Sequence, residues 1–264
     1  MPVRYEVDGR IATITIDRPE AMNALDPPML FGLAEAWDQA EDDDDVWVVM
    51  VTGAGDAAFC VGADLKVTIP ATAATARGEP DAGPRFPPMP KTLLRDRFYP
   101  KPIVAAVNGH CIAGGLELLL ATDLRYASTN ATFALQEVRW GLFPIAGSTV
   151  RLPRQVPYCR AMEVLLLGER VDAAAALQMG LVNDVVESPD AVRERGRDVA
   201  ERLCRNGPFA VRKIKEAVVK GMGLPVAEAF QEELRLGAEV FASADAVEGP
   251  KAFAEKREPR FEGR

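Results

Sequence analysis

One histidine, His110, is all the imidazole that this 264-residue chain carries. That excludes a His-rich metal centre and leaves any Ser-His or Cys-His mechanism dependent on a single residue. His110 itself reads as a structural residue at a strand end. Cysteine is also sparse: Cys60, Cys111, Cys159 and Cys204 form no C-x-x-C pair and sit among apolar or small residues, so all four read as reduced, buried thiols. Positive charge is not in excess, and a net charge of −8 argues against a nucleic-acid duplex or a membrane surface as the main partner. No apolar run approaches the roughly 20 residues that span a bilayer. The opening residues Met1 to Asp8 lack both the apolar core of a signal peptide and an Arg- and Ser-rich transit pattern, so a soluble cytoplasmic protein is expected.

What is present is an ordinary globular composition, long enough for a full core plus a small appendage. Alternation in Arg4 to Asp8, the Gly9-Arg10 turn and the β-branched run Ile11 to Ile16 predict a two-stranded start. A helix is expected from Pro28 to Gln39, and the acidic run Asp42 to Asp45 reads as a solvated helix end or loop. Val46 to Thr52 is apolar throughout, as in a strand covered on both faces. Further strands are expected at Ile103 to Val107, Leu124 to Ala127 and Thr132 to Ala134. Between them, Val67 to Pro90 is dense in Ala, Gly and Pro and reads as a mobile surface loop or partly ordered helix beside the site. Beyond Asp184 the pattern turns helical, at Ala191 to Asn206, Pro208 to Lys220 and Pro225 to Ser243. We therefore expect a core over residues 1–190 and a helical region over 191–264.

The most informative stretch runs from Gly109 to Leu120, where Gly114 and Gly115 precede Glu117 in an apolar helix start. Glycines there let a ligand reach backbone N–H groups that no intrahelical carbonyl satisfies. A Glu in apolar surroundings has its pKa pushed up and can carry a proton. A carboxylate in a first helical turn also has a purely structural use, complementing the dipole or closing a cap. Glu137, in Leu135-Gln136-Glu137-Val138, reads on its own as a surface acid at a helix start.

Taken in order, the landmarks Asp17 to Leu25, Phe59 to Lys66, Lys101 to Gly109 with Ala113 to Glu117, Glu137 to Pro144, Ala174 to Val182 and Glu248 to Arg257 resemble the crotonase, or enoyl-CoA hydratase/isomerase, superfamily. The resemblance covers nearly the whole chain. It implies an α/β fold, a crotonase/ClpP-like spiral of β-β-α units with a helical C-terminal trimerisation region, assembled as a homotrimer or dimer of trimers. It also implies an acyl-CoA thioester substrate. The amides of Ala63 and Gly114 would bind the thioester oxygen, with Gly62 and Gly115 beside them as points of close approach. Glu117 would activate water for attack at Cβ and Glu137 would protonate Cα, with neither a metal nor a redox cofactor required. Met22, Ala24, Leu65 and Ile112 match positions that line the CoA or acyl channel, and Asp64 lies in the same loop. Lys66, Phe253 and Lys256 match basic and aromatic contacts to the CoA phosphates or adenine, in part from a neighbouring subunit.

Two departures stand out. Gln136 replaces a common Pro before the second glutamate, and Ala113-Gly114-Gly115 replaces three glycines before the first. Trp140, just after Glu137, would either shape the acyl pocket or pack in the core. Within this superfamily the varying side chains decide the reaction. Hydration of a trans-2-enoyl-CoA to the 3-hydroxyacyl-CoA is the leading expectation. A Δ3,Δ2-enoyl-CoA isomerase, which can work with one glutamate, and a catalytically silent acyl-CoA-binding or scaffold protein are the alternatives.

Overall fold

The computed structural model describes residues 2–79, 86–95 and 97–264. In chain order its strands are β1 (Val3–Asp8), β2 (Ile11–Ile16), β3 (Val48–Gly53), β4 (Ala58–Cys60), β5 (Ile103–Val107), β6 (His110–Ile112), β7 (Leu124–Ser128), β8 (Thr132–Ala134), β9 (Val171–Asp172) and β10 (Asp184–Val186). The helices are α1 (Pro27–Asp42), α2 (Thr68–Ala76), α3 (Met89–Thr92), α4 (Gly114–Leu119), α5 (Ser148–Gln155), α6 (Tyr158–Leu167), α7 (Ala173–Gln178), α8 (Pro189–Cys204), α9 (Pro208–Gly221), α10 (Val226–Phe241) and α11 (Ala244–Glu255). Short 3₁₀ turns lie at Pro19–Ala21 and Gln136–Trp140.

Two sheets are threaded together. The larger has the order β1-β2-β3-β5-β7-β10, antiparallel only between β1 and β2, and the smaller has the order β4-β6-β8-β9, antiparallel only between β8 and β9. Each turn of the chain lays one strand in the large sheet and the next in the small one, as β3 then β4, β5 then β6, β7 then β8. This is the expected spiral of β-β-α units. Side chains on the large sheet alternate with period two. Ile14, Val49, Val51, Ile103 and Ala105 point into the main core with Leu33 and Trp37 of α1 and Phe59 and Phe133 of the small sheet. Ile11, Val48, Met50, Val104 and Ala106 point the other way and are covered by Val192, Val199 and Ala200 of α8. Gly196 lets α8 approach, since a Cβ there would stand 3.1 Å from both Ala106 Cβ and Met50 Sδ. The sheet is thus covered on both faces, as the apolar run through β3 predicts.

Three expectations need correction or extension. α1 continues past Gln39 to Asp42 because the buried Lys101 ammonium donates to the carbonyls of Ala40 and Asp43, supplying a cation where the helix dipole is negative. α11 lies beyond the expected last helix; Ser243 caps it by accepting from Ala246 N–H, and Pro250 within it masks its periodicity in the sequence. Cys159 is exposed on α6, unlike the buried Cys60 and Cys111. In the segment Val67 to Pro90, α2 and the start of α3 are helical, and residues 80–85 lie outside the described residues.

Two fully buried asparagines tie the spiral's loops together. Asn108 accepts from Gly53 N–H at 3.0 Å and donates to the carbonyls of Gly55 and Ala58 at 2.8 and 3.0 Å. Asn23 accepts from Arg18 N–H and donates to the carbonyls of Ala54 and Ala58. Both amides therefore converge on Ala58, the first residue of β4. Asn108→Ala strands the buried Gly53 N–H, while Ala58 O keeps the Asn23 amide and Gly55 O keeps Arg193; we expect it to destabilise the fold by about 1 to 3 kcal/mol, read as a lowered urea midpoint with unchanged slope.

Candidate active site

The site is built where two neighbouring strands end. β4 and β6 run parallel, with Ala58 opposite His110 and Cys60 opposite Cys111, so the segments leaving them emerge side by side at the same edge. From β4 the chain passes through Gly62 (φ +83°) to Ala63, and from β6 it passes through Ala113 (φ 51°, ψ −124°) into α4. The approach is so close that a Cβ on Gly62 would stand 2.6 Å from Gly114 N, and one on Gly115 would stand 2.1 Å from the Cys60 carbonyl oxygen. Backbone meeting backbone alone requires these glycines, a reason the sequence does not reveal. Ala113 holds a left-handed conformation that disfavours any side chain, at an expense of about 1 to 3 kcal/mol.

Pairing around this junction leaves two amides free. Leu25 bridges Ala63 in parallel fashion, giving its N–H to Gly62 O and taking that of Asp64, so the N–H of Ala63 itself faces away from the bridge. Gly62 N–H is directed to Cys60 Sγ at 3.4 Å, and Ala113 N–H to Ala134 O at 2.8 Å. Among the described residues, neither Ala63 N–H nor Gly114 N–H has a protein acceptor. Asp64 braces the loop: one oxygen accepts from Lys66 N–H and the other from the Arg18 guanidinium, which hold its carboxyl below the usual range.

Glu117, one turn into α4, is 4% exposed. Its Oε1 accepts three hydrogen bonds, from Ala146 N–H (2.8 Å), Ser148 Oγ (3.0 Å) and Ser148 N–H (3.3 Å), at the start of α5. Burial raises its pKa, while the Ser148 and Ala146 donors and the Arg151 charge oppose the rise. Glu137 lies in the 3₁₀ turn Gln136–Trp140, with Oε2 buried and without a hydrogen-bond partner. Burial pushes its carboxyl up to about 7, and the negative charge of Glu117 adds to the push. The structure thus brings the two acids within electrostatic reach, one pinned and one holding an unsatisfied oxygen.

Other sequence candidates distribute around this pair. Ala24 and Ile112 are buried next to the two loops, whereas Met22, Leu65 and Lys66 are exposed. Trp140 is 67% exposed, so it is not the packed core residue considered above. Phe253 and Lys256 stand exposed on and just after α11, with no bond to the two glycine loops among the described residues. Sequence reading missed Ala146 and Ser148, although a Gly-Ser pair opening a helix is a capping signal that marks where donors point outward. It also missed Arg18 as the partner of Asp64.

Comparison with known proteins identifies the family. The family model described as enoyl-CoA hydratase/isomerase matches residues 6–264. Enoyl-CoA hydratase EchA19 of Mycobacterium tuberculosis is 41% identical over 259 residues, 97% of this chain and 94% of that protein. The (E)-benzylidenesuccinyl-CoA hydratase of Thauera aromatica is 41% identical over the full length of both chains, 264 residues here. The solved enoyl-CoA hydratase of Bacillus anthracis superposes with a TM-score of 0.91 at 33% identity, covering 100% of each chain.

A carboxyl titration tests the pairing directly. By ¹³C NMR of labelled glutamate, Glu137 is expected to titrate near pH 7 rather than near its ordinary 4.5. In Glu117→Gln the midpoint should move down, because a neighbouring negative charge that opposes ionisation is removed. An unmoved midpoint would show that the two acids do not sense each other.

Proposed function

The chain belongs to the enoyl-CoA hydratase/isomerase family, and from that premise we propose that it is an enoyl-CoA hydratase, adding water syn across a trans-2-enoyl-CoA to give the 3-hydroxyacyl-CoA. The observation that carries this reading is the pair of acids in unequal surroundings. Glu117 is held by three donors that favour its ionised form, whereas Glu137 has only its own backbone N–H and an unpartnered Oε2, with burial pushing its carboxyl up to about 7. Environments that push two titratable groups apart assign base and acid.

In the proposed reaction, the thioester oxygen lies on the N–H groups of Ala63 and Gly114. Water attacks Cβ and gives a proton to Glu117, the Cα–Cβ π pair moves toward the thioester as an enolate, and Glu137 delivers its proton to Cα. Negative charge grows on the thioester oxygen during attack, where preset amides stabilise it without reorganising. Proton transfer and charge stabilisation suffice, so the reaction asks for neither a metal nor a redox cofactor. An isomerase needs only one shuttle, and the presence of both acids in one coupled pair favours hydration over it.

Ala24 and Ile112 would wall the acyl channel, with Met22, Leu65 and Lys66 at its mouth. Phe253 and Lys256 serve as CoA contacts only from an adjacent copy in this scheme, which joins the site to assembly. Supporting a homotrimer or dimer of trimers, α9 and α10 expose apolar residues at helical i, i+4 spacing: Ile214, Val218 and Met222, then Val226, Phe230 and Leu234, each 58–74% exposed.

Loss of the enoyl-thioester ultraviolet band on adding protein to crotonyl-CoA and to trans-2-decenoyl-CoA tests the reaction. We expect turnover of at least one, lost in Glu117→Gln and in Glu137→Gln while CoA binding by calorimetry persists. Gly62→Ala, whose Cβ would crowd Gly114 N, should lower turnover by about 10² to 10³-fold, the loss of one oxyanion donor. Hydration requires Glu137 protonated, so kcat/KM should fall as pH rises through about 7. Wild-type turnover in both glutamate variants would overturn the assignment. CoA binding without turnover of any acyl-CoA would favour a silent binder. In sedimentation, Val218→Glu with Phe230→Glu is expected to shift a trimer to monomer, and an unchanged species would exclude that face as the interface.

A further inference from the structure

We propose that Ser148 is a positioning residue for Glu117, its hydroxyl and amide acting with the Ala146 amide to saturate Oε1 so that only Oε2 is offered to water. This inference rests on Glu117 being the base. One carboxylate oxygen carries two lone pairs, and three donors at 2.8, 3.0 and 3.3 Å leave Oε1 no capacity for a fourth. Oε2 has no protein donor among the described residues. Ser148 is 0% exposed, so no solvent competes for its hydroxyl.

The hydroxyl does what the amides alone do not. Without it, Oε1 retains the 2.8 Å bond from Ala146 and the longer 3.3 Å bond from Ser148 N–H, both from one short stretch of backbone. The Oγ donor, at 3.0 Å, is the one side-chain bond of the three and lies closer than the Ser148 amide. Its donation also favours the ionised acid, the form that accepts a proton from water. The charged groups that act on Glu117 are Glu137 from the 3₁₀ turn and Arg151 one turn along α5, and the strands packed against α4, β4 and β6, also carry Cys60, Cys111 and His110. Burial keeps both thiols neutral, and it lowers the pKa of His110, whose ring bonds Thr132 Oγ1. All of these are common to wild type and a Ser148 variant, so a difference between the two isolates the hydroxyl.

The test is Ser148→Ala beside Ser148→Thr, assayed with crotonyl-CoA and trans-2-decenoyl-CoA across pH. For Ser148→Ala we expect kcat to fall about tenfold with KM within twofold, and the acid limb of kcat to move up by about one pH unit, the effect of one lost hydrogen bond to a charged group. Ser148→Thr, which keeps a hydroxyl, should return the limb toward its wild-type position. The Glu117 carboxylate band, isolated as the infrared difference between each protein and its Glu117→Gln counterpart, should show the same upward shift in Ser148→Ala without any substrate. An unshifted limb and band in Ser148→Ala overturn the proposal, as does an equal fall in kcat for both variants without a pH shift, which would mean packing alone. If Glu117→Gln keeps turnover, the base assignment itself fails. If Glu117→Gln is inactive while Ser148→Ala matches wild type, only the role of Ser148 fails.

Discussion

The parallel pairing of β4 with β6 is the constraint on which the rest depends. Cys60 opposite Cys111 fixes the register, and that register brings Gly62 against Gly114 with no room for a side chain between them. The amides of Ala63 and Gly114 are left without a protein acceptor among the described residues, while those of Leu25, Asp64 and Ala113 are bonded. A slip of one residue would exchange inward and outward groups along the strand and remove both donors at once. The buried amides of Asn23 and Asn108 hold this register from outside by anchoring Ala58.

Burying two carboxylates near each other is unfavourable, and the fold resolves it unevenly. Glu117 receives three donors at the first turn of α5 with the Arg151 charge nearby, so its ionised form is tolerated in spite of burial. Glu137 receives none at Oε2 and remains partly neutral near pH 7. The difference arises from backbone placement as much as from side chains, since Ala146 and Ser148 reach Glu117 through the turn before α5. The two acids are thus held differently, which under the proposed function suits a step that takes a proton on one side and gives one on the other.

Much of this was legible in the sequence, for identifiable reasons. The strands Ile103–Val107 and Thr132–Ala134 carry short apolar runs with clear punctuation and are found where expected. Ala63, Gly114 and Glu117 could be placed through ordered motifs, because the distance between a glycine turn and a helical acid is local. The donors on Glu117 could not, since Ser148 is 31 residues away and meets Glu117 only after folding. The same holds for Arg18 and Asp64, 46 residues apart. Pro250 hid α11, and Gly62 and Gly115 suggested ligand contact where the structure shows contact between main chains.

The spiral separates what must stay fixed from what is free to vary. The amides of Ala63 and Gly114 sit just past strands β4 and β6 of the small sheet, while α2 lies further along the connection between β4 and β5. Side chains on α2 take no part in the pairing of β4 with β6. On the proposed function, a lineage can vary the side chains of that helix without altering the backbone that presents the two amides.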